Sequence, residues 1–429
     1  MTKPAKAKLD VATLRTIPSG IWALGFVSLL MDISSEMIHA LLPIYLVTVM
    51  GASTLTVGII EGIAEATAAI VKIFSGAISD RLGKRKSLAA LGYGLAAITK
   101  PIFPLAPAIG WLVAARFIDR VGKGIRGAPR DALVADISPE HLRGASFGLR
   151  QSLDTGGAFA GPLLAILLMW LFANNITAVF WFAVLPAFLA IGFMIFGVQE
   201  PERPPGLRQV KSPLSRGELE RLGGAYWSVV AVAMVFTLAR FSEAFLLLKA
   251  QSAGLPVMLV PAVMVVMNLV YALAAYPAGV ASDNGSRTRV LFIGLSSLLM
   301  ADLVLAFSSE VVGVMIGVGL WGLHMGFTQG LLSTLVADTA PAELRGTAFG
   351  MYNLLTGLAL LAASIIAGAL WDWIGPQATF LTAAAFTSVS LLGFLLLVGR
   401  TITHTKQTSA GQLHSRGASE SSLAKRPSN

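Results

Sequence analysis

The residues whose types and spacing could do chemistry lie in the least polar stretches of this chain. Asp32, Ser35, Glu36 and His39 fall at i, i+3, i+4 and i+7 within the otherwise apolar segment 21–50, which is one face of a helix. Glu61, Glu65 and Lys72 repeat the pattern one segment later, and Arg116, Asp119, Arg120, Lys123, Arg126, Arg130 and Asp131 step mostly by three or four residues along the fourth. Arg150 and Asp154 follow in the fifth. Carboxylates and imidazoles exchange protons, whereas guanidinium groups stay charged and hold anions or carboxylates in place. Charge in a segment of this apolarity is costly and by default marks a solute or ion pathway.

Eight bases stand against seven acids in these first-half segments: Lys72, Lys100, Arg116, Arg120, Lys123, Arg126, Arg130 and Arg150, with Asp32, Glu36, Glu61, Glu65, Asp119, Asp131 and Asp154. Much of that charge must be paired, because lone ions in low dielectric are prohibitive. Two readings stand side by side. Either Asp32, Glu36 and Glu65 are proton-coupling groups on a cavity wall, or they are static partners of bases on neighbouring helices. The second half is quieter, with Arg240, Glu243, Asn268, Tyr271, Asp302, Trp321, His324, Gln329 and Asn353. A cavity built from both halves is expected to draw on His39, Glu61, Arg116, Asp119, Arg120, Lys123, Arg150, Asp154, Arg240, Glu243, Asn268, Trp321, His324 and Asn353.

The elements that must position these groups are set by composition. Of 429 residues, 55% are hydrophobic and only 13% are charged, against roughly 25% charged in an ordinary globular domain. Lipid is therefore the expected solvent. The absence of cysteine excludes disulfides and thiolate metal sites. Twelve apolar segments are long enough to span a bilayer: 21–48, 55–79, 87–106, 109–136, 145–172, 176–197, 224–249, 256–281, 288–308, 311–337, 346–371 and 376–399. No small-residue cleavage site follows the first, so it reads as a retained span. The expected organisation is an N-terminal segment 1–20, a six-helix bundle 21–198, a polar central loop 199–223, a second bundle 224–399 and a disordered tail 400–429.

The net charge of +9 would suit nucleic acid, but its distribution is that of a membrane topology signal. Lys3, Lys6, Lys8, Arg15, Arg81, Lys84, Arg85 and Lys86 fall on one side, with Arg203, Arg208, Lys211, Arg216, Arg221, Arg287, Arg289, Arg345 and the tail. The opposite loops carry no Lys or Arg, and only Lys249 lies near that face. Both termini are expected in the cytoplasm of a multi-pass inner (plasma) membrane protein, with no nucleic-acid partner.

The chain also repeats itself. "LVADISPEHLRGASFGL" from Leu133 matches "LVADTAPAELRGTAFGM" from Leu335 at an offset of 202, and "GAISDRLGKRK" from Gly76 matches "GVASDNGSRTR" from Gly279 at 203. Six helices return the chain to its starting side, so two parallel halves are expected around a midplane site.

"GAISDRLGKRK" resembles the loop motif of the major facilitator superfamily, G-x-x-x-D-R-x-G-R/K-R/K, with Gly76, Asp80, Arg81, Gly83, Lys84 and Arg85 in place. "RFIDRVGKG" is similar to its fourth-helix motif, with Asp119 and Arg120 replacing the usual Gln and Gly. "GAFAGP" resembles the G-x-x-x-G-P core found mainly in antiporters, through Gly157, Gly161 and Pro162, without the glycine pair that usually follows. The resemblance implies an all-α fold of twelve helices in two pseudo-symmetric bundles that rock in alternating access. It also implies that Asp80, and by repeat Asp283 with Gly279, act as gate residues against the starts of the eleventh and fifth helices.

The expected function is proton-coupled export of a small organic solute by antiport, in a monomer with no cofactor. The alternatives are proton symport of an organic anion or metal chelate, divalent-cation transport through Glu36-x-x-His39, and a sensor or scaffold that no longer transports. No H-E-x-x-H or G-x-S-x-G motif argues for an enzyme.

Overall fold

In a computed structural model the described residues are 16–82, 84–200, 219–284, 287–341 and 344–396, and they form helices without strands. In chain order these are α1 (Ser19–His39), α2 (Leu42–Thr48), α3 (Thr54–Leu82), α4 (Arg85–Thr99), α5 (Ile102–Leu105), α6 (Ile109–Ile137), α7 (Arg143–Leu171) and α8 (Ile176–Gly192). Then come α9 (Gly224–Ala239), α10 (Ala244–Ser252), α11 (Ala262–Asn284), α12 (Arg287–Phe307), α13 (Val311–Thr339), α14 (Arg345–Trp373) and α15 (Pro376–Leu396). Of the expected N-terminal segment only 16–20 and of the central loop only 199–200 and 219–223 are among the described residues, and the tail lies outside them.

Ten of the helical segments are long and apolar enough to cross a membrane. The remaining two expected spans, α3 and α6, have the length, 29 residues each, but carry the charged stripes. α3 packs on α14 and α6, and α6 also packs on α4, while apolar side chains such as Phe74 and Ile78 of α3 and Trp111 and Phe117 of α6 stay exposed on the outer surface. The charge of these two helices thus turns toward protein rather than lipid, which is how a bilayer tolerates such helices.

Three spans expected to be continuous are broken. Pro43, in the first turn of α2, has no N–H to offer the carbonyl of His39, and the chain turns at Ala40–Leu41. Pro101 separates α4 from α5 in the same way. The third break, Arg240–Glu243 between α9 and α10, has no proline. Side-chain hydroxyls replace lost backbone bonds there: Ser242 N–H donates to Ser364 Oγ (3.2 Å) and Ala244 N–H to Ser242 Oγ (3.2 Å). Irregular backbone inside a membrane persists only where protein or a cavity satisfies it.

Within the first half α1 packs on α7 and α8, and α3 and α4 on α6; within the second, α13 packs on α11 and α12, and α9 on α14. The halves meet where α3 lies along α14 and where α7 meets α11. Toward the face poor in Lys and Arg, α2 packs on α10, with Leu41, Leu42, Ile44, Leu46, Phe245 and Leu247 fully buried.

Candidate functional site: a charged cavity between the halves

A cavity of about 680 Å³ lies between the two halves. Its first-half wall holds Asp32, Glu36 and His39 from α1, Glu65 and Lys72 from α3, Arg120, Lys123, Arg126 and Arg130 from α6, and Asp154 from α7. Its second-half wall holds Arg240 and Glu243 from the break, Trp321 from α13, and Tyr352 and Asn353 from α14.

The charges form rungs. α3 and α6 start at the same face and run in the same direction. Glu61 and Glu65 come seven and eleven residues after Thr54; Arg116 and Arg120 come seven and eleven after Ile109. The result is two ion pairs at matched depths. Arg116 Nη2 donates to Glu61 Oε2 at 2.6 Å, and Arg120 Nη1 lies 3.3 Å from Glu65 Oε1. The first rung is sealed, with side chains 2% and 1% exposed, whereas Glu65 is 31% exposed to the cavity. A third pair, Lys100 Nζ to Asp119 Oδ1 at 2.9 Å, is buried and does not line the cavity, and Lys100 Nζ also donates to Ser35 Oγ of α1 at 3.1 Å.

His39 joins the cavity to the sealed rung. Its Nδ1 lies 3.5 Å from Glu36 Oε2 and its Nε2 lies 3.7 Å from Glu61 Oε2. Further along the cavity, Asp154 Oδ1 is 3.4 Å from Arg150 Nη1 and 3.6 Å from Arg130 Nη1. Arg126 sits over the Tyr93 ring, 4.7 Å from its centroid.

The antiporter-like glycines seat the opening stretch. A Cβ at Gly157 would lie 3.0 Å from Asp32 Cβ, and one at Gly161 would lie 2.7 Å from Glu36 Cβ. Only glycine lets α7 approach α1 this closely, so these two residues fix the depth of both carboxylates. Pro162 is buried one residue on and leaves the Ala158 carbonyl without its helical donor. Asn268 Nδ2 of α11 donates to that oxygen at 3.4 Å, a long bond across the two halves.

Several expected lining residues stand elsewhere. Glu61, Arg116 and Asp119 are consumed by buried pairs. Arg150 is buried and turned to Gln151, donating to its Oε1 at 2.6 Å. Asn268 faces Ala158, and His324 lies behind Trp321, edge-on at 5.3 Å. Of the gate motif, Gly83 and the side chains of Asp80, Arg81 and Asp283 lie outside the described residues. Lys84 stands at the N-cap position of α4 without a side-chain capping bond, and Gly76 and Gly279 lie within α3 and α11. Arg85 Nη1 donates to Asp136 Oδ2 at 2.7 Å and to Ala132 O at 3.0 Å. Asp136, the acid of the first "LVAD", has a partner the sequence reading did not assign, although its repetition at Asp338 was the signal. Among the described residues no group of three or more metal-ligating side chains is placed to hold an ion.

A polar cavity enclosed between two groups of lipid-soluble helices, with broken helices at its wall, is the layout of a membrane transporter. The sequence profile of the Major Facilitator Superfamily matches residues 24–353 and 229–428, and the chain belongs to that family. It is 32% identical over 391 residues to an uncharacterized MFS-type transporter of Methanocaldococcus jannaschii, covering 89% of this chain and 95% of that one. It is 25% identical to the inner membrane transport protein YajR of Escherichia coli (86% and 81% covered) and to the multidrug resistance protein MdtH of Edwardsiella ictaluri (88% and 92%). Its fold is similar to the crystal structure of a POT family transporter in complex with 5-aminolevulinic acid, with a TM-score of 0.73 at 14% identity, covering 90% of this chain and 98% of that one.

Proposed function

We propose that the protein is a twelve-span, proton-coupled transporter of the inner membrane that exports a small organic solute by antiport, with Asp32, Glu36 and Glu65 as the coupling carboxylates. The observation that carries this reading is the seat of Gly157 and Gly161 against Asp32 and Glu36. It ties the antiporter-like motif to the protonatable stripe in one contact. Relatives named for multidrug resistance support export. In inside-out vesicles acidified within, addition of a transported solute from a metabolite panel should collapse the pH gradient, read by a pH dye. A solute that instead raises the internal proton load would reverse the sign of coupling.

One observation favours a second reading, proton symport of an organic anion. Lys72, Lys123, Arg126 and Arg240 line the cavity, and among the described residues none has a carboxylate within the 4.0 Å of an ion pair. The vesicle experiment separates the two by the direction of proton movement.

The proposal places both termini in the cytoplasm. The cysteine-free chain makes this directly testable. Cysteines at the exposed positions Ser53 and Asn175 should react with an impermeant maleimide added to whole cells, and one at His141 should not. Thr54, though next in sequence, is 8% exposed and a poor reporter. The opposite labelling pattern would invert the topology.

A further inference from the structure

Asp372 lies at the last turn of α14, in the second half, at the face poor in Lys and Arg. Its two carboxylate oxygens accept from the first turn of α3, in the first half: Thr54 N–H to Oδ1 at 3.0 Å and Leu55 N–H to Oδ2 at 2.8 Å. These N–H groups have no intrahelical partner, and the helix start carries partial positive charge, so a carboxylate is the matching ligand. Thr54 and Asp372 are 318 residues apart in sequence, and the contact joins the two halves rather than elements of one.

Below this contact α3 and α14 touch backbone to backbone. A Cβ on Gly368 would lie 2.7 Å from Leu55 Cα and Thr54 O, and one on Gly58 would collide with the Ser364 carbonyl. Ser364 is also the residue whose hydroxyl accepts from Ser242 at the α9–α10 break, beside the cavity. The seam therefore runs from the rim to the substrate wall. Any motion that opens the cavity to this face must part α3 from α14 and break both bonds to Asp372.

We propose that Asp372 is the latch of this face: a positioning residue that holds the transporter closed there by binding the start of α3 across a glycine-notched seam. The inference rests on the transporter class and is independent of coupling ion and direction. Asp372 is exposed, so each bond is weakened by water, and the latch is weak enough to release in every cycle. Its loss should shift the open-to-closed ratio about fivefold, the equivalent of ~1 kcal/mol for an exposed anion at a helix N-terminus.

The test uses the full chain in sealed vesicles of both orientations, with Ala68→Cys on the cavity wall as the sole thiol. Impermeant maleimide is added from each side in turn. Asp372→Asn should raise labelling from the Lys/Arg-poor side about fivefold and lower it from the other. Asp372→Glu should restore most of the original ratio. Gly368→Ala, which pries the seam without touching the carboxylate, should act in the same direction. Unchanged labelling in folded Asp372→Asn protein overturns the latch, and so does an equal rise from both sides, which reports a loosened fold. If Asp372→Asn does not fold, Gly368→Ala decides alone, and an unchanged side ratio overturns the proposal. Failure of proton coupling in the vesicle assay leaves this ratio unaffected, so the two readings fail separately.

Discussion

Arg116→Met is expected to cost the fold about 3–5 kcal/mol, the penalty for leaving one member of a buried ion pair without its partner. Arg116 and Glu61 meet at 2.6 Å with side chains 2% and 1% exposed, so water cannot replace the lost guanidinium. His39 Nε2, at 3.7 Å, is too distant for a hydrogen bond to Glu61 as placed. Joining Glu61→Leu to Arg116→Met should recover most of the loss, because an apolar pair of similar volume removes both desolvation costs. Unfolding of the purified protein by a titrated denaturing detergent gives the three free energies. A single-variant cost below about 1 kcal/mol would mean that the rung contributes little, as exposed pairs do. A double variant as damaged as the single one would assign the loss to packing rather than to charge.

This rung also shows how far the sequence carried the argument. Acids spaced i, i+4 on one segment and bases spaced i, i+4 on another, with eight charges against seven, called for pairing. The partners could not be named until α3 and α6 were known to be neighbours starting at the same face. Segment periodicity and the 202-residue repeat made the helices, their order and the two halves legible. Pro43 and Pro101 mark two of the three breaks in the sequence itself, although hydropathy runs through both as single spans. The break at Arg240–Glu243 has no such sign, and the hydroxyl that accepts from its freed Ser242 N–H belongs to Ser364, more than a hundred residues away.

Asp372 was missed for a related reason. In "WDWIGPQ" it reads as a solvated acid in a loop. The expectation of a carboxylate against a helix start, made for Asp80, applies equally to Asp372, but only the packing of α14 on α3 supplies the N–H groups. Asn268 is a mixed case. That Pro162 frees the Ala158 carbonyl follows from sequence alone. That Asn268 fills it does not, because the donor comes from the other half.

Glu36→Gln is expected to abolish proton-driven movement of solute while leaving solute exchange intact. Glu36 lines the cavity at 20% side-chain exposure, within reach of both solvent and the His39 ring. Glutamine is nearly isosteric and fits the same contact with Gly161, so α1 should stay seated on α7. What it lacks is the proton site. A static partner would be held in one arrangement, as Glu61 is by Arg116. Glu36 has no lysine or arginine within 4.0 Å among the described residues, and its ion-pair neighbour is the His39 imidazole at 3.5 Å. Protonation of Glu36 would therefore break no salt bridge to a lysine or arginine, as the proposed coupling role requires in every cycle. The measurement is paired, using proteoliposomes: accumulation driven by a pH gradient, and counterflow of labelled solute with no gradient. Accumulation should fall to the level of empty liposomes, and counterflow should remain within about twofold of the parent. Full accumulation would move the coupling role to Asp32 or Glu65, both of which face the same cavity. Loss of counterflow together with loss of folding would make Glu36 a structural partner of α7 and leave Asp32 and Glu65 as the remaining proton carriers.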